Sequence, residues 1–234
     1  MTAAGRSRSA LNSCNSRPSE DSLAPIKYLL FDGVMQADFA VELGSQDDCL
    51  EVPWVSPDGK LRYLDLKRQP ELLLEITEAR DNQDLAEFLA AINSSKSIFE
   101  TAKCDTWVTN ELAEEDEIYG ATWKFGCYVD IIFAETGEQI SFEHHEKFVR
   151  SITQLLSHAP DIPAAAEFIV RRCYYPQGHG EVREGLGITL YSYGYGDDAV
   201  ESRQRWAIGL KVLRNAILQM SVKPRNHGDQ EKPR

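Results

Sequence analysis

No Cys-x-x-Cys pair occurs in the 234 residues, although the chain has five cysteines, Cys14, Cys49, Cys104, Cys127 and Cys173. An odd number at wide spacing argues against a zinc site and against a disulfide framework, and reads as reduced thiols. Also missing are the His-Glu-x-x-His pair of zinc proteases, the Gly-x-Ser-x-Gly turn of serine hydrolases, a phosphate-binding loop, a dinucleotide fingerprint and the kinase signature. The expectation is no metal and no cofactor. The longest apolar runs are only a few residues, which predicts no membrane-spanning helix. The N-terminus lacks the apolar core of a secretory signal. Basic residues are outnumbered, with 25 Lys and Arg against 37 Asp and Glu, for a net charge of −12. The ends carry +1 in residues 1–24 and +2 in residues 222–234, so residues 25–221 carry −15. Such a surface repels phosphate backbones, so nucleic acid is not expected as a partner. Together these features predict a soluble, acidic, cytoplasmic protein.

Residues 1–24 are rich in Arg and Ser and residues 222–234 are polar with two prolines. Both read as disordered tails around a single domain over 25–221. Within it, IKYLLFDGV at 26–34 predicts a strand, and CLEVPWVSPDGKLRYLDL at 49–66 predicts a hairpin. The Ser56-Pro57-Asp58-Gly59 stretch has turn chemistry, and Pro53 marks its first arm as an edge strand. Pro70 opens a helix over PELLLEITEAR. A second helix near 83–93 carries Leu85, Phe88, Leu89 and Ile92 at i, i+3, i+4 and i+7.

From residue 97 the pattern is strand 97–109, an acidic insert at 111–118, strand 121–134 and helix 141–158. It is followed by strand 166–175, a Gly-rich loop, strand 185–195 and helix 198–220. Cys104 and Cys173 hold similar places in the two leading strands. The pattern reads either as an internal strand–strand–helix duplication or as ordinary α+β alternation. In the last helix Asp198 can cap and Glu201 stands three residues later, as in a capping box. The predicted fold is α+β, a mainly antiparallel sheet with helices on one face.

Successive strand residues point to opposite faces. In 97–109 this places Cys104 with Ala102 and Val108, and Lys103, Asp105 and Trp107 opposite. A nucleophilic cysteine needs a cation beside its sulfur, which sequence neighbours on a strand cannot supply, so Cys104 reads as core. Glu100 is discordant, because the same alternation sends it inward. In the next strand Trp123, Phe125, Cys127, Val129, Ile131 and Phe133 form an apolar face, and Lys124, Tyr128 and Asp130 the other. In 187–195 a stripe of Tyr191, Tyr193 and Tyr195 appears, and Arg171 or Arg172 joins the same set.

These residues, Lys103, Asp105, Trp107, Tyr128, Arg171, Arg172, Tyr191, Tyr193 and Tyr195, make an aromatic and charged sheet face. It reads as a non-enzymatic binding surface for a protein partner or a small polar ligand. The competing reading is a face half covered by a loop or hairpin. The alternative function is a metal-independent hydrolase or isomerase with an acid–base pair from Asp130, His179, Glu181 or Asp197. Adjacent His144 and His145 diverge on a helix and cannot chelate one ion, so they read as a solvated first turn. The acidic stretch ELAEEDEI reads as a solvated helix or turn. The glycines of GYGDD at 194–198 let the backbone turn and can admit a ligand.

Overall fold

Strict apolar alternation dictates the central strands. The computed structural model describes residues 35–159, 161–177 and 181–221, all in one compact unit. The expected strand at 26–34, both tails and His179 lie outside the described residues. Six strands form one mixed, mostly antiparallel sheet. They are β1 (Gln36–Glu42), β2 (Leu50–Glu51), β3 (Phe99–Thr109), β4 (Trp123–Phe133), β5 (Ala164–Pro176) and β6 (Val182–Gly196). The order is β1-β5-β6-β4-β3, with β2 alongside the end of β5. β1 and β2 run parallel to β5, and the other pairs are antiparallel. The helices are α1 (Thr77–Asp81), α2 (Gln83–Ile92), α3 (Thr136–Gln139), α4 (Phe142–Leu156) and α5 (Ala199–Ser221).

One face of β4 (Phe125, Cys127, Val129, Ile131 and Phe133) is buried in the main core with Ala164, Ala166, Phe168 and Val170 of β5 and Ile188 and Leu190 of β6. Leu85, Phe88, Leu89 and Ile92 of α2, Phe148, Val149 and Ile152 of α4, and Trp206, Leu210, Leu213 and Ile217 of α5 enter the same cluster. Burial on this scale dominates folding energetics, at about 1.5–3 kcal/mol per large apolar side chain.

β3 departs from plain alternation. A register shift between Thr101 and Lys103 bulges the strand. Phe99 and Thr101 therefore share the buried side with Cys104, although simple alternation opposes them. Phe99 is fully buried against Phe133 and Phe148. The same shift removes the Glu100 conflict, because Glu100 pairs with Ile132 on the opposite face. Ala102 packs in a second cluster with Ile132, Cys173, Tyr175 and Val52. Cys104 packs beside the main core without Ala102. Cys104 and Cys173 thus serve different sides of the sheet, so their like positions in the sequence are not equivalent in space.

The 49–66 stretch makes less strand than its residues suggest. Only Leu50–Glu51 joins the sheet, and a single bridge, Val55 to Arg62, closes the turn. The turn itself is as the residues dictate: Gly59 has φ +71°, and its N–H donates to Ser56 O at 2.8 Å. The PELLLEITEAR helix breaks at Ile76, whose ψ is 112°, into a 3-10 turn over Pro70–Glu75 and the short α1.

α5 starts as its capping chemistry predicts. Asp198 Oδ1 accepts from Val200 N and Glu201 N at 2.8 Å, and Glu201 Oε2 accepts from Asp197 N at 2.7 Å. Gly194 and Gly196 serve packing here. A Cβ on Gly194 would fall 2.1 Å from Trp206 N, and one on Gly196 2.5 Å from Ser202 N, so these glycines let α5 lie on β6. They do not open toward a ligand. On α4, Ser141 Oγ accepts from His144 N at 3.3 Å as an N-cap. His144 is exposed, but His145 is fully buried, its ring against Phe133 and its Nδ1 2.8 Å from Ser141 O. The expectation of two solvated histidines therefore fails for His145, which sits three residues before Phe148 on the buried helical stripe.

Candidate functional site

Register builds the second face of the sheet row by row. Trp107, Gly126, Tyr193 and Ala165 lie abreast on β3, β4, β6 and β5. The next row is Asp105, Tyr128, Tyr191, Glu167 and, on β1, Asp38. Then come Lys103, Asp130, Thr189 and Ile169, and after them Glu100, Ile132, Gly187, Arg171 and Glu42. Six of the sequence-predicted binding residues, Lys103, Asp105, Trp107, Tyr128, Tyr191 and Tyr193, thus share one open patch. Arg171 belongs to the same face. Arg172 does not: it stands opposite Leu186 on the other side and donates to Gly44 O at 2.8 Å.

Gly126 makes room for Trp107, since a Cβ there would meet the indole at 2.7 Å. Trp107 stands edge-on to Tyr191 and Tyr193 at 6.5 and 6.2 Å, and these two tyrosines stack on each other at 6.2 Å. Tyr128 leans on Tyr191 at 6.1 Å. All four rings are half-buried. The arrangement already binds cations of the chain itself. Lys103 Nζ lies 5.3 Å from the Trp54 ring and 5.6 Å from Tyr128, and Lys124 Nζ lies 5.1 Å from Tyr193.

The face is covered at both ends. At one, the segment from Leu50 to Tyr63 packs over Ile132, Cys173 and Tyr175, and Leu50 fills the space left by Gly187. At the other, the 3-10 turn Glu114–Tyr119 folds down. Tyr119 stacks on Tyr195 at 3.9 Å, leaving Tyr195 only 2% exposed. Asp116, expected within a solvated acidic run, is instead buried. It pairs with Lys124 and accepts from Tyr195 OH at 2.7 Å. Burial pushes its carboxyl pKa up, but the Lys124 and Tyr195 hydrogen bonds outweigh this and hold it below the ordinary value.

Against this second end, beside β1, lies a cleft of about 570 Å³ lined by Asp38, Asp116, Lys124, Glu167, Tyr193 and Tyr195 among others. Burial raises the Glu167 pKa, and the neighbouring Glu42 and Asp38 carboxylates add to the rise. Asp130 sits centrally and is 6% exposed. Burial pushes its pKa up to about 6, against the opposing hydrogen bond from Thr189 Oγ1 at 2.7 Å and the charges of Lys103 and Arg171. Arg171, itself buried, reaches Glu42 at 3.1 Å and Asp48 at 3.4 Å.

Among the described residues the acid–base candidates Asp130, Glu181 and Asp197 do not converge. Asp130 is mid-strand. Glu181 and Asp197 flank opposite ends of β6, whose 15 residues span roughly 45 Å. Among the described residues no group of three or more His, Cys, Asp or Glu side chains is placed to hold a metal ion, and no helix is long and apolar enough to cross a membrane. Among the described residues no ion pair or hydrogen bond ties Cys104 to a cation. Its thiol pKa is raised by burial first and then by Glu78 and other negative neighbours.

Sequence reasoning missed Asp38 and Glu42, because β1 was not expected, and Asp116, which was hidden in a charge run. Glu167 was within reach, since alternation back from Arg171 passes through Ile169 to Glu167. Comparison with models of protein families, with curated proteins and with solved structures finds no match for this chain.

Proposed function

We propose that the protein is a non-enzymatic binding module, and that the face carrying Trp107, Tyr128, Tyr191 and Tyr193 holds a protein partner or a small polar ligand. The observation that carries this reading is the four half-buried rings in mutual contact between two covered ends, with a cleft at one of them. Rigid amphipathic rings supply contact area at little entropic cost, and the charged residues around them supply orientation. In this reading α2, α4 and α5 stand on the opposite side of the sheet, which leaves the middle of the aromatic face for recognition. Their shared cluster with the aliphatic strand residues supports it. The two strand–strand–helix units read either as a duplication or as ordinary α+β alternation: the order β5-β6-β4-β3, in which each unit's second strand pairs at the centre, supports the first, and the different sides taken by Cys104 and Cys173 support the second.

The test is a fragment screen with neutral, anionic and cationic polar molecules against the full chain. It is read on the indole N–H signals of the four tryptophans, with Trp107→Phe identifying one of them. Fragments that move the Trp107 signal and leave that of Trp206, buried on the core side of α5, in place support the reading. It is lost if no class moves Trp107, or if every hit moves Trp206 instead.

A further inference from the structure

β3 is an edge strand, and among the described residues no strand lies on its outer side. Ala134 N donates to Ile98 O at 2.8 Å, so the backbone of Ile98 faces β4 and, by alternation, that of Phe99 and Thr101 faces outward. The bulge resets the count. Lys103 pairs with Asp130, and from there the backbone groups of Cys104, Thr106 and Val108 face outward. Side chains blunt the first half of this edge. Lys67 Nζ donates to Phe99 O at 2.8 Å, Asn93 Oδ1 accepts from Thr101 N at 3.0 Å, and Trp54 Nε1 donates to Ala102 O at 2.7 Å. Among the described residues the second half has no such cover from elsewhere in the chain. There Thr106 N donates to the carboxylate of its own neighbour, Asp105 Oδ1 at 2.7 Å, and Val108 is 48% exposed. An edge left open in this way is a template for a further strand.

The open half runs into a second cavity, of about 170 Å³. Leu64, Leu66, Ile76 and Leu89 form its apolar wall, and Ala102 and Cys104 bring it to the strand edge. A cavity of about 150 Å³ holds a benzene ring, so this one has room for a single large apolar side chain. Its rim charges, Lys60, Arg62 and Lys103 against Glu75 and Glu78, nearly balance. Asp105, next along the strand, is exposed and among the described residues forms no ion pair. Opposite charges facing each other on neighbouring strands stabilise the pair, so the residue that suits the place across from Asp105 is Arg or Lys. A second copy of the chain fits less well, since each copy carries −12 and brings its own Asp105 to the joint.

The geometry points to strand addition at the outer edge of β3. The edge from Cys104 to Val108 takes an extended segment of a partner protein, with a basic residue across from Asp105 and an apolar residue in the cavity. The inference rests on the binding-module reading above, in its protein-partner form, and names the chemistry of that partner. Main-chain hydrogen bonds to Cys104, Thr106 and Val108 supply affinity, while Asp105 and the cavity supply selectivity. Side chains on one face of a strand recur at every second position, so the basic and apolar residues stand two apart.

The test titrates the full chain with the capped peptide Ser-Val-Arg-Val-Leu-Thr-Ser and with the same residues in reverse order, since either strand direction can pair. Affinity and amide hydrogen exchange are followed. The Thr106 and Val108 amides are expected to exchange fast in the free protein and to slow about tenfold or more when one of the two peptides binds. Replacing the peptide leucine by serine should weaken binding about tenfold or more, as loss of a buried apolar side chain does. Asp105→Lys should weaken the arginine peptide at least about threefold and favour a peptide with glutamate in its place. Thr106→Pro removes an outward N–H without touching the β4 ladder and should abolish binding. If that variant fails to fold, the serine peptide and Asp105→Lys decide. Equal affinity for the serine peptide, a charge preference unchanged in Asp105→Lys, or binding retained by a folded Thr106→Pro overturns the inference. Slow exchange in the free protein also overturns it: exchange that quickens on dilution assigns the edge to a second copy, and exchange slow at every dilution assigns it to the chain itself. Failure of both peptides to bind, while small fragments still move Trp107, overturns it and leaves the platform reading standing.

Discussion

Asp130 shows at single-residue scale what a charged residue on a buried strand costs. Its carboxyl is 6% exposed, and burial lifts its pKa from 3.8 to about 6. Below pH 3.8 the group is protonated in both folded and unfolded states. Between the two values the folded state holds the extra proton, so stability falls as pH rises through this window. Above pH 6 the full penalty is present, about 3 kcal/mol on the conversion of pKa shift to free energy. Asp130→Asn keeps an acceptor for Thr189 and removes the charge. Urea unfolding at pH 4, 5 and 7 should show the variant gaining on the natural protein by about 2.4 kcal/mol between the ends of that series. A constant difference across pH would show that Asp130 is ionised equally easily in both states. Its position on the polar face was legible from alternation. Its burial was not, because that depends on Tyr128, Tyr191 and the covering 50–63 segment.

At the scale of elements, glycine and bulge positions decide how strands meet helices. α5 lies so close to β6 that a side chain at position 194 would overlap the backbone of Ser202 and Trp206. Gly194→Ala should therefore destabilise by about 3 kcal/mol, the upper range for overpacking. Gly137→Ala, at a place with nothing within 4 Å, should change stability by less than about 0.5 kcal/mol. Thermal unfolding of the two variants checks this, and similar midpoints would mean that α5 can shift at no cost. The strands β3 to β6 and the helices α2, α4 and α5 were legible because their apolar periods are long and regular. The β3 bulge was not, since one residue inserted into a strand leaves no mark on composition; only the misplaced Glu100 signalled it. The break at Ile76 was also hidden, because Pro-Glu-Leu-Leu-Leu-Glu suits a 3-10 turn as well as an α-helix.

At the scale of the whole molecule, residues before and after the turn at 94–97 build one core. α2 packs on α5, and Asp84–Lys211 at 2.9 Å and Glu87–Arg214 at 3.0 Å link the same two helices. Lys67 Nζ donates to Ser94 O, Ser97 O and Phe99 O, which pins that turn. Unfolding should therefore be a single transition, with far-ultraviolet ellipticity and the near-ultraviolet signal of buried Trp206 changing together. Separate midpoints, or a fragment starting at residue 95 that keeps the native near-ultraviolet signal, would divide the chain into two folding units.

Periodicity by itself determined that β3 to β6 become strands and α2, α4 and α5 helices, and which side of β4 and β6 is apolar, because burial selects residues locally at every second or every third and fourth position. It also determined the aromatic stripe, since Tyr191 and Tyr193 are two apart on one strand. What lies across from that stripe was decided only by the tertiary structure. Asp38 meets Glu167 because β1 runs beside β5, and Asp116 meets Tyr195 because a turn 79 residues away folds over the sheet. Contacts of that separation depend on strand order and register, which no local pattern of residues encodes.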